Sequence, residues 1–82
     1  MSAELIMDVY EVDVIFDAKE GMQMKTLSHS NFVGIIEDTE RFLKKFDLNS
    51  PEVLSARFFT QDGIVEIKQK VIETIKARRK NG

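Results

Sequence analysis

The residues best suited to chemistry lie in one short stretch, Ser28 to Asn31, which holds the only histidine of the 82-residue chain. A histidine beside serine hydroxyls could act as a general base for a nucleophile, but that arrangement also needs a carboxylate to orient the imidazole. The stretch "TLSHSNF" contains no acidic residue. A simpler interpretation is a site for an anion, such as a phosphate or carboxylate, at the start of a helix. Its residues would be Ser28, His29, Ser30 and Asn31.

Helix capping explains the same polar residues without any ligand. Ser28 and Ser30 precede a strongly periodic segment, where side-chain oxygens accept hydrogen bonds from free backbone N–H groups, and Asn31 could do so one residue later. Most helices carry such caps and few bind ligands there, so we favour capping over anion binding. We therefore expect replacement of Ser30 by alanine to destabilise the fold more than replacement of His29 by glutamine.

The other reactive groups in the sequence form no catalytic or metal-binding pattern. Without cysteine, the chain has no thiolate nucleophile, no disulfide and no sulfur ligand for zinc. Glu11, Asp13 and Asp17 fall on one face of a predicted strand, and we interpret them as solvated. Side chains two positions apart on a strand are separated by roughly 6.5–7 Å, which is too wide to share a cation. Phosphate loops and paired metal-binding histidines are missing too, so the sequence predicts no enzyme, no cofactor and no metal.

Charge is distributed unevenly along the chain. Residues 1–40 carry nine acidic and two basic residues, whereas residues 41–82 carry five acidic and ten basic ones. Clustered positive charge on a helix is typical of nucleic-acid binding, and the candidate residues are Lys76, Arg78, Arg79 and Lys80. No aromatic residue is interleaved with them for base stacking, and the isoelectric point near 5.3 argues against a dedicated nucleic-acid binder. We favour a solvated, frayed basic tail over residues 77–82.

Alternating apolar residues predict a hairpin at the start of the chain. Between Glu4 and Asp17, apolar residues recur at every second position from Tyr10 onward, which is the period of a strand with one buried face. They are Tyr10, Val12, Val14 and Phe16, and the acids Glu11, Asp13 and Asp17 point the other way. Gly21 ends the following turn because glycine adopts positive φ freely, and Met22 to Leu27 can return as a second strand.

Two later segments have the period of amphipathic helices. The first runs from about Ser30 to Phe46, with apolar residues at three- and four-residue spacing. The second runs from Lys68 to Arg79 and ends in basic residues, which suit the negative end of a helix dipole.

The segment between these helices has two interpretations. Ser50 as a cap with Pro51 in the first turn would begin a short helix through Phe59. We favour a hairpin, because Leu54, Ala56 and Phe58 alternate before a turn ending at Gly63. The predicted fold is a single α+β domain over residues 1–82, in which two ββα units form a four-stranded antiparallel sheet with both helices on one face. The alternative is a β-hairpin followed by three helices.

The first strand has apolar residues on both of its faces, and this feature suggests a function. One layer of helices covers only one face of a sheet, so a second copy of the chain would cover the other through Met7, Val9 and Ile15. We therefore predict a non-enzymatic interaction or regulatory module that acts as a homodimer and binds a protein partner. The alternative is a nucleic-acid-binding protein that uses the basic C-terminal helix.

The sequence predicts a cytoplasmic protein that does not enter membranes. Its longest apolar runs have three residues, Leu5 to Met7 and Val14 to Phe16, whereas a membrane span needs about 20. The first residues, "MSAE", do not have the basic and apolar character of a signal peptide.

Overall fold

A computed structural model describes residues 8–45 and 51–81 of the chain, with the side chain of Asn81 excepted. Its elements in chain order are β1 (Val9–Ala18), β2 (Gly21–His29), α1 (Phe32–Lys44), β3 (Glu52–Thr60), β4 (Gly63–Glu66) and α2 (Lys68–Asn81). The predicted α+β class is confirmed.

The four strands form one antiparallel sheet in the order β2-β1-β3-β4. The sheet confirms the predicted hairpin in the second half of the chain, and the alternative of three helices is wrong. Residues from Glu52 to Thr60 form a central strand that pairs with β1. Pro51 stands just before this strand, where its missing N–H takes no hydrogen bond away from the sheet.

Both hairpins close through a two-residue turn followed by a glycine. Gly21 has φ +115° after the first turn, and Gly63 has φ +135° after the second. Side chains rarely tolerate these values, so glycine is needed at both positions. The role predicted for Gly21 is confirmed.

The hydrophobic core lies between the sheet and the helices, which both pack on the same sheet face. The strands contribute Val12, Val14 and Ala56. From the helices come Ile35, Ile36, Leu43, Val71 and Ile75. The apolar stripe predicted for α1 is therefore in the core, although its last predicted residue, Phe46, lies outside the described residues.

A β-bulge interrupts the pairing of the two central strands. Asp13 pairs with Ser55, but the next residue, Val14, pairs with Val53, so that Leu54 is the extra residue. Val53 can therefore pack on the core while Ser55 and Arg57 lie on the opposite face of the sheet, beside Asp13.

The first helix begins two residues later than the sequence predicted, and its cap is Asn31 rather than Ser30. The side-chain oxygen Oδ1 of Asn31 accepts a hydrogen bond of 2.7 Å from the Gly34 N–H. His29 fixes this entry, because its Nδ1 accepts a hydrogen bond of 3.1 Å from the Asn31 N–H. The imidazole also lies so close to Gly34 that a Cβ atom there would overlap the ring. The histidine is thus part of the helix start.

The C-terminal helix continues as far as Asn81, past the predicted end at Arg79. Residues 77–81 are helical in the structure, and the fraying of the tail over residues 77–82 stays a prediction.

The corrected cap gives a stability prediction. Asn31→Ala removes the acceptor for the Gly34 N–H and should lower the free energy of unfolding by about 0.5–2 kcal/mol. Ser30→Ala is the matched control and should leave stability nearly unchanged, because the structure gives the Ser30 hydroxyl no capping bond. Urea unfolding followed by circular dichroism measures both. A larger loss for Ser30→Ala would contradict the assignment.

Candidate functional site

The sheet face opposite the helices, called the open face from here on, has a polar cluster in its middle. Asp13 is only 8% exposed although no helix among the described residues covers this face. Its carboxylate accepts hydrogen bonds from Thr26 Oγ1 at 2.7 Å, Ser55 Oγ at 2.8 Å and Arg57 Nη2 at 2.8 Å. The three donors come from β2 and β3, on either side of β1. This cluster of hydrogen bonds therefore joins three strands.

Arg57 connects this carboxylate with a second acid. Its Nη2 also donates to Glu11 Oε1 at 3.2 Å, and its guanidinium lies 5.6 Å from the centroid of the Phe59 ring. The Nε atom of Arg57 is buried and finds no hydrogen-bond partner among the described residues. We call Glu11, Asp13, Thr26, Ser55 and Arg57 the polar centre.

The charge on Asp13 is stabilised by its neighbours. Burial opposes the charged form and by itself would raise the pKa of Asp13, but the hydrogen bonds from Thr26 and Ser55 and the positive charge of Arg57 outweigh it. The pKa of Asp13 consequently lies below its ordinary value. The carboxylate thus stays ionised through the neutral range and is unsuited to act as a proton donor there.

The interpretation of all three β1 acids as solvated is wrong for Asp13. Glu11 is half-buried and Asp17 is exposed, but Asp13 is buried by its hydrogen-bond partners. No group of three potential metal-ligating side chains lies together within residues 8–45 and 51–81. Glu11 and Asp13 instead converge on the guanidinium of Arg57.

Two apolar groups flank the polar centre on the open face. One, called the methionine end, consists of Ile15, Met22 and Met24, and the register pairs Ile15 with Met24. The other, called the phenylalanine end, consists of Val9, Phe59 and Ile64, which are neighbours across β1, β3 and β4. Met22, Met24 and Ile64 are 63%, 57% and 64% exposed. The face therefore presents apolar groups to solvent at both ends.

The structure places two of the three predicted interface residues on this face. Val9 and Ile15 are half-buried members of the phenylalanine end and the methionine end, respectively. Met7 lies outside the described residues. The sequence did not indicate Met24, Phe59 or Ile64, because strand pairing places Met24 and Phe59 beside β1 and Ile64 beside Phe59.

The four residues of the predicted anion site do not converge on one point. Ser28 pairs with Glu11 and His29 with Tyr10, so the two side chains point to opposite faces of the sheet. His29 Nδ1 and Asn31 Oδ1 already accept backbone hydrogen bonds. Ser30 is exposed between them. Anion binding here stays a prediction, and the geometry gives it no support.

The four cations predicted to bind nucleic acid differ in their contacts on the C-terminal helix. The Nε atom of Arg78 donates to Glu40 Oε1 of α1 at 3.0 Å. Lys76 and Arg79 line a cleft beside β3, and Lys80 is exposed. One of the four cations thus pairs with the acidic half of its own chain.

Comparison with known proteins identifies no relative. The chain has no significant match among protein-family models, curated proteins or solved structures. Within the described part of the chain, neither helix has the length and apolar character needed to traverse a lipid bilayer.

The hydrogen bonds of Asp13 predict an acid-dependent loss of stability. Because the folded-state pKa is lowered, Asp13 stabilises the fold above its unfolded-state pKa of about 4 and loses this contribution as the pH falls through the folded-state value. Asp13→Asn should cost roughly 1.5–3 kcal/mol at pH 7. The difference from wild type should narrow progressively below about pH 4.

Urea unfolding at several pH values between neutral and strongly acidic measures this difference. Asp62→Asn is the matched control, because Asp62 is an exposed acid in the β3–β4 turn. That variant should follow the wild-type profile. A cost of Asp13→Asn that stays the same at every pH would exclude the role assigned to its charge.

Proposed function

We propose that this protein is a non-enzymatic interaction module that acts as a homodimer through the open face of its sheet. The exposure of Met22, Met24 and Ile64 on that face is the observation that carries the proposal. Single exposed apolar residues are common on protein surfaces, but Met22, Met24 and Ile64 belong to two apolar groups on one face of the sheet. Burial of a large apolar side chain contributes about 1.5–3 kcal/mol, so covering both ends would add substantially to the stability of so short a chain.

A second copy is suited to this face because a twofold axis brings the same surface against itself. The polar centre is compatible with being covered. Asp13 already has three hydrogen-bond donors within its own chain, so an interface would not leave that carboxylate without partners. In such a dimer, burial of the methionine end and the phenylalanine end stabilises the association. The polar centre lies between them with its hydrogen bonds made within each chain.

Charge distinguishes a homodimer from other partners. The open face carries more acidic than basic side chains, with Glu11, Asp13, Asp17 and Glu66 against Arg57. Two copies therefore repel each other weakly, and salt screens that repulsion. A homodimer should become tighter as salt concentration rises, whereas a basic partner would bind less tightly.

Dimerisation is tested by light scattering after size exclusion. At micromolar concentration and moderate salt the wild type should have a mass near twice 9.4 kDa. Met24→Glu should be monomeric, because it puts a further negative charge on an acidic face at the methionine end. Val33→Glu is the matched control, since Val33 is 59% exposed on α1, away from the open face, and should stay dimeric.

Two results would refute the proposal. The first is a wild-type monomer at every accessible concentration and salt. The second is a dimer that survives both Met24→Glu and Ile64→Glu, since each variant adds a negative charge to one end of an acidic face. Circular dichroism should show that both variants remain folded, because the side chains they replace are largely exposed.

A cytoplasmic location and the absence of catalysis belong to the same proposal. A chain without cysteine needs no oxidising compartment to form disulfides. The Nδ1 atom of the one histidine accepts a hydrogen bond from the Asn31 N–H at the helix start, so this atom is not free to act as a general base.

Nucleic-acid binding through α2 is the second candidate function. Its support is that, of Lys76, Arg78, Arg79 and Lys80, only Arg78 forms an ion pair with a described residue. If these cations bind phosphates, a gel shift with duplex DNA or RNA should be strong at low salt and disappear at moderate salt. Replacement of Lys76, Arg78, Arg79 and Lys80 together by glutamine should abolish the shift, and its persistence would exclude these four cations as the contact.

A further inference from the structure

A cleft on the helix side of the molecule lies between α2, the end of α1 and the start of β3. Its volume is about 460 Å³. The lining includes the apolar residues Leu43, Pro51, Val53, Ile72 and Ile75. Leu43, Pro51 and Ile75 are buried, so they belong to the packed interior and form a fixed floor.

Three cations of α2 line the same cleft. They are Lys68, Lys76 and Arg79, and none of them forms an ion pair with a described carboxylate. Among the described residues of the lining, Glu52 is the one acidic residue. The cleft therefore combines an apolar floor with an excess of positive charge.

Helix geometry places these cations along one side of α2. Lys68, Lys76 and Arg79 are spaced eight and three residues apart, so all three lie on the side that faces the cleft. Arg78 is rotated away from them and reaches Glu40. The residue that pairs within the chain is thus separated from the residues that remain available to a ligand.

We propose that this cleft binds a small amphipathic carboxylate, such as a medium-chain fatty acid. The apolar body lies on Val53, Ile72 and Ile75, and the carboxylate is held by Lys76 and Arg79. A volume of about 460 Å³ is within the range of small-molecule sites, which are mostly apolar with a few polar groups that orient the ligand. Arginine binds a carboxylate through two parallel hydrogen bonds.

The ligand class follows from the combination of floor and charge. An inorganic anion would use the cations but leave the apolar floor exposed, and a neutral hydrocarbon would leave the cations without a partner. This inference does not depend on the homodimer, because the cleft is on the helix side and the proposed interface is on the open face.

Octanoate is the probe for the test, with octanol as its neutral counterpart and acetate as its charged head alone. Isothermal titration should show saturable binding of one octanoate per chain, with octanol and acetate at least about tenfold weaker. In ¹H–¹⁵N spectra octanoate should shift the amides of Val53, Ile72 and Lys76.

Two double variants with the same loss of charge complete the design. Lys76→Gln with Arg79→Gln should weaken octanoate binding at least about tenfold. Lys25→Gln with Lys70→Gln removes two cations outside the cleft and should leave binding unchanged. All four side chains are exposed, and urea unfolding of both variants shows whether they remain folded.

Four outcomes would overturn the proposal. If octanol bound as tightly as octanoate, the cleft would be an apolar groove without a role for its cations. If acetate bound as tightly as octanoate, the cleft would be a surface anion site without a role for its apolar floor. No saturable binding of octanoate, or equal binding by the two double variants, would exclude the cleft as a carboxylate site.

Discussion

The fold depends on the antiparallel pairing of β1 with β3. Each of these strands belongs to a hairpin that is local in sequence, and the pairing between them is what unites the two hairpins in one sheet. We call the boundary between β1 and β3 the seam. The core extends across it, where Val12 lies beside Ala56. On the other face Asp13 meets Ser55 and Arg57 across it. The bulge at Leu54 shifts the register of β3 against β1. As a result, Val53 faces the core while Ser55 faces Asp13 on the other side of the sheet.

Ion pairs between the two halves of the chain account for part of their opposite charge. Arg57 from the second half binds Glu11 and Asp13 from the first, and Arg78 binds Glu40. Part of the charge difference is therefore complementarity inside one molecule. The cations that remain without a described partner include Lys68, Lys76 and Arg79, which lie together at the cleft, and this separation gives the helix side a character different from that of the acidic open face.

The sequence predicted the elements well where a single period was decisive. Tyr10, Val12 and Val14 alternate on the core face of β1, and the three- and four-residue spacing of Ile35, Ile36 and Leu43 marks α1. The predictions were less accurate where a single residue determines where a helix begins. Asn31 and Ser30 are both good caps, and the choice between them depends on the hydrogen bond that His29 makes after the chain has turned.

The candidate site was largely beyond the reach of sequence patterns. Alternation shows that Asp13 shares a face with Glu11, but its burial comes from Thr26 and Ser55 on two other strands. A bulge determines one of those pairings, and no local period reveals it. The positions of the α2 cations were within reach of sequence patterns. Helical rotation alone separates Arg78 from Lys76 and Arg79, and a helical projection of α2 would have shown this separation.

The order of strands has a consequence for how the chain reaches its fold. Both hairpins close over two-residue turns, whereas Val9 pairs with Phe59, which lies 50 residues further along the chain. Closing so long a loop costs more conformational entropy than closing a hairpin, so we expect the hairpins to form early and the seam to form late. Until it closes, β1 and β3 each expose an unpaired edge of matching register. The chain is then able to pair with the complementary hairpin of another copy, so the seam is the place where exchange of hairpins between molecules competes with folding.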